Sequence, residues 1–289
     1  MSNIDTEKLL NALERIASAL EKEAGLRPDL PCEMKAGEAY IWDAQSAAFM
    51  PVKTLQALEY DLLVGIDDQR QTLHDNTEQF AKGFAANNAL LWGARGTGKS
   101  SLVKAVFKNL AQNHPLVLIE IHREDIASLG HILAQLDYHR DKRFILFCDD
   151  LSFDEQDSSY KSLKAVLDGG IQSAPDHILF YATSNRRHLL PRDMMENERR
   201  TAVHGGEAVE EKISLSDRFG LWLGFYPCDQ EDYFAMVENY ARALNIEYEK
   251  DTLHAKALEW SMLRGARSGR VAWQFIQDLA GKSGKAAKI

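Results

Sequence analysis

The run Gly93-Ala94-Arg95-Gly96-Thr97-Gly98-Lys99-Ser100 fits the pattern G-x-x-x-x-G-K-[ST]. Glycines at these spacings let a backbone wrap a phosphate without Cβ clashes, so that successive N–H groups point inward. A helix opening at Ser101 adds about half a positive charge from its N-terminus. Lys99 is then placed to reach the β- and γ-phosphates of a nucleotide, and Ser100 to bind Mg2+. A second stretch, Arg143-Phe-Ile-Leu-Phe-Cys-Asp149-Asp150, carries two carboxylates off the end of an apolar run. Asp149 is placed to hold Mg2+ through its water shell, because that ion dehydrates reluctantly. Asp150 is placed to polarise an attacking water; its plainer role is to cap the next loop or orient Asp149. Asn185, at the tip of Tyr181-Ala-Thr-Ser-Asn185, offers a neutral amide that holds such a water without competing for its proton.

These residues can meet only at the ends of neighbouring strands. From residue 88 onward, short apolar runs at 88–92, 116–121, 144–148, 178–182 and 221–226 alternate with stretches of helical period. Continuous apolar runs of this length mean strands buried on both faces, hence a largely parallel sheet flanked by helices. From 229 the chain reads as helix throughout, with Asp229 and Ser268 as N-caps. Upstream, Leu9, Leu13, Ile16 and Leu20 share one face of a helix over 5–23, and Pro28, Pro31 and Gly37 mark a break. Residues 40–66 read as irregular structure leading into a helix near 67–82. The polar stretch 191–213 reads as a mobile insertion. The expected organisation is an N-terminal helical extension and linker over 1–60, an α/β nucleotide-binding domain over 61–228 and a helical lid over 229–289.

Composition narrows the partners. Forty-five per cent apolar residues in a chain of 289 suffice for a sizeable core. The net charge of -9 argues against a general nucleic-acid coat. Ser184-Asn-Arg-Arg-His-Leu-Leu-Pro-Arg192 is basic enough to meet nucleic acid, but pairing of its arginines with phosphates of the site or nearby acids is favoured. Three scattered cysteines form neither a disulfide framework nor a zinc pattern and read as buried thiols. No apolar run reaches the length of a membrane span, and the expectation is a cytoplasmic protein.

Two arginines complete the order of motifs: Arg218 in Ser214-Leu-Ser-Asp-Arg-Phe-Gly220, before the last strand, and Arg267 in Gly265-Ala-Arg267, at the start of the final helix. The phosphate loop, the Asp pair, Asn185, Arg218 and Arg267 in this order resemble an AAA+ ATPase, over about 60 to 280. Cys148-Asp-Asp-Leu-Ser-Phe153, Tyr181-Ala-Thr-Ser-Asn-Arg-Arg-His-Leu189 and Gly265-Ala-Arg-Ser-Gly-Arg-Val-Ala-Trp-Gln-Phe275 are similar to a bacterial family of stand-alone AAA+ ATPases of unknown function. The resemblance implies ATP and Mg2+ as ligands, with Val64 and Gly65, in Leu63-Val-Gly-Ile-Asp-Asp-Gln69, flanking the adenine. It implies a homo-oligomeric ring in which Arg218 enters the neighbouring subunit's site in trans, Arg199 and Arg200 being rivals for that role. Arg267 would read the γ-phosphate from the lid of its own subunit, and ATP turnover would drive remodelling or loading of an unidentified protein client.

Two departures qualify this. The second carboxylate is Asp150 where most of the family carries Glu, one methylene longer, and a misplacement of about 1 Å costs roughly 10²-fold in rate. A slow ATPase is expected, with Asp154 and Glu155 as nearby carboxylates that more plainly cap the next helix. Residues 122–136 also lack the aromatic–hydrophobic–Gly triplet of protein-threading rings, which argues against an unfoldase. Two rivals remain: a nucleotide-dependent switch or loader with negligible hydrolysis, and a P-loop kinase, against which the C-terminal helices speak. No Asn-Lys-x-Asp motif supports a GTPase.

Overall fold

The computed structural model describes residues 34–153, 157, 159–168, 175–189 and 215–286. The helix expected over 5–23, the insertion at 191–213 with Arg199 and Arg200, and Asp154 and Glu155 lie outside the described residues.

Seven strands form one sheet: β1 (Ala39–Asp43), β2 (Ala48–Pro51), β3 (Ala89–Gly93), β4 (Leu116–Glu120), β5 (Arg143–Cys148), β6 (Ile178–Ser184) and β7 (Leu221–Phe225). Their spatial order is β2-β1-β4-β5-β6-β3-β7. All neighbours run parallel except β1 and β2. Side chains of a strand alternate between faces: Val117 and Ile119 of β4 enter one core, Leu116 and Leu118 the other. Both faces are therefore apolar, and each is covered.

On one face lie α1 (Asp67–Ala81), through Leu73 and Phe80, and α2 (Lys99–Leu110), through Leu102, Val103, Val106 and Phe107. On the other lie α3 (Leu129–Leu136), through Ile132, Leu133 and Leu136, and α4 (Tyr160–Leu167), through Leu163 and Val166. Cys148 is buried at the end of β5, and burial pushes its thiol up to about 12. The C-terminal helices α5 (Gln230–Ala243), α6 (Lys250–Arg264) and α7 (Gly269–Lys282) enclose a third core around Tyr233, Val237, Ala257, Phe275 and Ile276. Asp229 caps α5 by accepting from the Asp232 N–H, and Ser268 caps α7 by accepting from the Val271 N–H, as the sequence indicates.

The segment read as irregular between 40 and 66 is corrected in its first part. Residues 39–51 form a hairpin whose first strand joins the sheet parallel to β4, with Ala39 opposite Leu118 and Ile41 opposite Glu120. Asp43 closes the turn by accepting from the Gln45 N–H (3.1 Å) and from Ser46 Oγ (2.5 Å), and Ala47 takes a positive φ of 48°. Tyr40, Trp42 and Phe49 then enter the α3/α4-side core, with Trp42 and Phe49 rings 4.9 Å apart. The hairpin is thus an integral edge of the sheet, and Phe49→Ala is expected to lower the unfolding free energy by about 3–5 kcal/mol. Urea denaturation should show a lower midpoint with an unchanged slope; an unchanged midpoint would mean that the hairpin is merely appended.

Candidate functional site

β3 ends in Gly93 at a φ of 144°, where a Cβ would lie 1.9 Å from the Phe225 carbonyl oxygen of β7. Only glycine lets the two strands close at this point, so the loop begins deep in the sheet. Gly96 and Gly98 also take positive φ, and α2 starts at Lys99. Thr97 Oγ1 donates to the Ala94 carbonyl (2.8 Å), fastening the loop to itself.

The Lys99 ammonium is buried, with 6% of the residue exposed, and its three donors are all used. They go to the carbonyls of Gly93 (2.8 Å) and Ala94 (2.7 Å) and to Asn185 Oδ1 (3.2 Å). Burial pushes its pKa below the usual lysine range, against the pull of Asp149 and Asp150, while Arg270 and Arg95 push the same way as burial. A cation desolvated this way and held only by neutral acceptors is matched to an anion.

Asp149 and Asp150 follow β5, which lies next to β6, and β6 carries Asn185 at its tip. Asp149 Oδ1 accepts from Ser100 Oγ (2.5 Å) and from Thr183 Oγ1 (2.5 Å). Thr183 Oγ1 in turn accepts the Asp150 N–H (2.9 Å), and the Leu151 N–H reaches the Thr183 carbonyl (2.7 Å). Between these two anchors Asp150 adopts a φ of 53°, a region that non-glycine residues seldom occupy and that Asp tolerates better than most. Its Oδ1 accepts from Asn185 Nδ2 (2.5 Å), and its Oδ2 lies 3.7 Å from the Arg95 guanidinium.

A cleft of about 730 Å³ unites these groups. Its polar end holds the loop from Arg95 to Ser101 with Asp149, Asp150, Thr183 and Asn185; its apolar end holds Leu58, Leu63, Val64 and Ile66 facing Met236, Tyr240 and Trp273 of the C-terminal helices. Gly65 is absent from the lining and packs against α5 instead, a Cβ there falling 2.8 Å from Asp232 Oδ2. The C-terminal helices close over the loop as well, since a Cβ on Gly96 would meet Ser268 Oγ at 2.9 Å.

Neither Arg218 nor Arg267 lines the cleft of its own chain. Arg267 precedes Ser268, the cap of α7, and is 3.3 Å from Gln230 Oε1, outside the cleft lining. The lid arginine that lines the cleft is Arg270, in the first turn of α7 and on the same side as Trp273. Arg218 follows the short helical turn 215–217, is absent from the cleft lining of its own chain and pairs with Asp168. Sequence reasoning misses Thr183, which lies in β6 two residues before Asn185.

The fold is that of the AAA+ P-loop ATPases. A mutant of Thermotoga maritima RuvB superposes with a TM-score of 0.52 at 17% identity, over 81% of this chain and 70% of that one. The FIGL-1 AAA domain in complex with ADP is similar at a TM-score of 0.49 and 18% identity, covering 79% of this chain and 75% of that one. A DNA replication initiation factor gives 0.49 at 14% identity, over 81% and 67%. Within this fold, the chain belongs to the family described as Protein of unknown function (DUF815), whose model matches residues 35–283. No curated protein matches the chain in sequence.

Thr183 joins both aspartates, which are themselves exposed, so Thr183→Val should cost about 0.5–1.5 kcal/mol through the hydrogen bonds lost, and Thr183→Ser should recover most of it. Chemical denaturation of the three proteins side by side checks this; equal stabilities would show that the hydroxyl holds neither residue.

Proposed function

We propose that the protein binds ATP with Mg2+ and hydrolyses it as a homo-oligomer, coupling nucleotide state to a protein client. The observation that carries this reading is the convergence of a buried lysine, two aspartates anchored on Thr183 and an asparagine on one glycine loop. The residues fit the metal: Ser100 Oγ and Asp149 Oδ1 are hard oxygen donors already within 2.5 Å of each other. Among the described residues no cluster of three His, Cys, Asp or Glu forms a metal cage, as suits an ion held largely by nucleotide and water. Ser100 and Asp149 would hold Mg2+, which when bound neutralises charge on the phosphate oxygens.

The loop N–H groups and Lys99 grip the phosphates, with Gly93 to Ser101 forming the cradle. Asp150 accepts a proton from the attacking water, and Asn185 orients that water. The base lies in the apolar end, beside Val64 and against Trp273 and Tyr240, while Gly65 serves as the turn that brings α5 near. Arg270 takes the role of the lid arginine in place of Arg267. Arg218, outside its own cleft, serves a neighbouring subunit's site, where such a residue is worth on the order of 10³ to 10⁵ in rate.

A second reading, a nucleotide-dependent switch with negligible turnover, draws on one feature: both oxygens of Asp150 are already engaged, by Asn185 and Arg95. ATP turnover per subunit measured across protein concentration, with mass followed alongside, separates the two. The hydrolase reading expects Mg2+-dependent activity that rises with assembly. It also expects Asp150→Asn and Arg218→Ala each to reduce that activity by at least about 10²-fold with ATP binding retained. Flat, negligible turnover in an ATP-assembled oligomer would leave the switch.

A further inference from the structure

Both cations of the phosphate loop are held by the protein's own acceptors. Lys99 donates to two loop carbonyls and Asn185; Arg95 faces Asp150 across 3.7 Å. The two differ in what a phosphate would change. Lys99 is buried and has neutral partners, so it can serve any phosphate in the cradle. The Arg95 side chain is 75% exposed, sits at the mouth of the loop, and its partner is a carboxylate. Asp150 itself is held on its other oxygen by Asn185 (2.5 Å) and by its backbone on Thr183 (2.9 Å), so the carboxylate stays where it is if Arg95 leaves.

We infer that Arg95 is a terminal-phosphate sensor that exchanges Asp150 for the last phosphate of a nucleoside triphosphate, and by leaving frees Asp150 Oδ2. The inference rests on the nucleotide reading of the cleft and adds a discriminating residue to it. The physical ground is charge. A terminal phosphate carries more negative charge than one carboxylate and offers three acceptor oxygens to a guanidinium fork. An exposed ion pair such as Arg95–Asp150 is worth little in water, so it yields readily. The exchange makes the base available when a triphosphate is present; with a diphosphate Arg95 has no new partner and stays on Asp150.

The test is equilibrium binding of Mg2+ with ADP and with a non-hydrolysable ATP analogue, so that turnover plays no part. Arg95→Ala should weaken the triphosphate analogue about tenfold and ADP less than about twofold. Because the Arg95 side chain is largely exposed, this variant keeps the fold. Asp150→Asn should strengthen analogue binding by a factor about twofold to fivefold larger with Arg95 present than in the Arg95→Ala background, since only then is an ion pair spared. A gain smaller with Arg95 present would mean that Arg95 stays on Asp150 in the complex, and equal losses for the two nucleotides would make it an ordinary member of the cradle; either overturns the exchange. Lys99→Ala separates the levels. If it abolishes binding of both nucleotides while Arg95→Ala fails to discriminate, only the Arg95 inference falls. If the unmodified protein binds neither nucleotide, the nucleotide reading falls with it.

Discussion

Two adjacent carboxylates beside a phosphate cradle repel each other and the ligand, and the site depends on their being held apart. One hydroxyl does most of this. Thr183 Oγ1 gives its proton to Asp149 and takes the N–H of Asp150, so one atom of β6 fixes the side chain of the first aspartate and the backbone of the second. Asp149 is thereby turned to Ser100 at the start of α2, and Asp150 to Asn185 and Arg95. Thr183 is itself buried, while the two aspartates that it holds are open to the cleft. The different surroundings of the two carboxylates, Ser100 for one and Asn185 with Arg95 for the other, follow from this fastening.

The same economy sets the rest of the cleft. β3 lies between β6 and β7, so the loop it launches is flanked by the tip of one and pressed on the other at Gly93. Parallel strands bring their carboxyl ends to one edge, which is where a ligand site in such a sheet belongs. The C-terminal helices have their own core, yet Leu58, Leu62 and Val64 pack against it from the segment ahead of α1. That segment therefore forms one wall of the apolar end and α5 and α7 the other, so any relative movement of the helices changes the width of the cleft.

Much of this is legible in the residues. The five strands from 88 onward announce themselves because burial on both faces leaves no polar alternation to confuse them with helix. Asp149, Asp150, Asn185, Lys99 and Ser100 meet because the motifs sit at strand ends, which local sequence reveals. The hairpin of β1 and β2 does not announce itself: two strands of five and four residues owe their existence to pairing with β4, more than 70 positions away. Its one local signal is the Asp43-to-Ser46 turn. Arg267 and Arg270 differ by the phase of a helix whose cap, Ser268, is recognisable. Counting from that cap puts Arg270 and Trp273 three apart on one side of α7, so the sequence holds the signal that a motif match overrides. Gly65 reads as a binding residue because Leu63 to Gln69 resembles a segment that flanks adenine; its positive φ of 75° and its closeness to Asp232 give it a turn's work.

The short carboxylate is the remaining question, and backbone geometry bears on it more than side-chain length does. Side chains of a strand alternate between faces, so a strand continuing straight past Cys148 would put the carboxylates of residues 149 and 150 on opposite sides of the sheet. Here the chain turns instead. At a φ of 53° Asp150 bends toward β6, and the Leu151 N–H closes the bend on the Thr183 carbonyl. The carboxylate reaches Asn185 Nδ2 at 2.5 Å without the extra methylene. The left-handed turn and the aspartate are therefore matched, each supplying what the other would otherwise lack: the turn supplies reach, and the short side chain tolerates the turn.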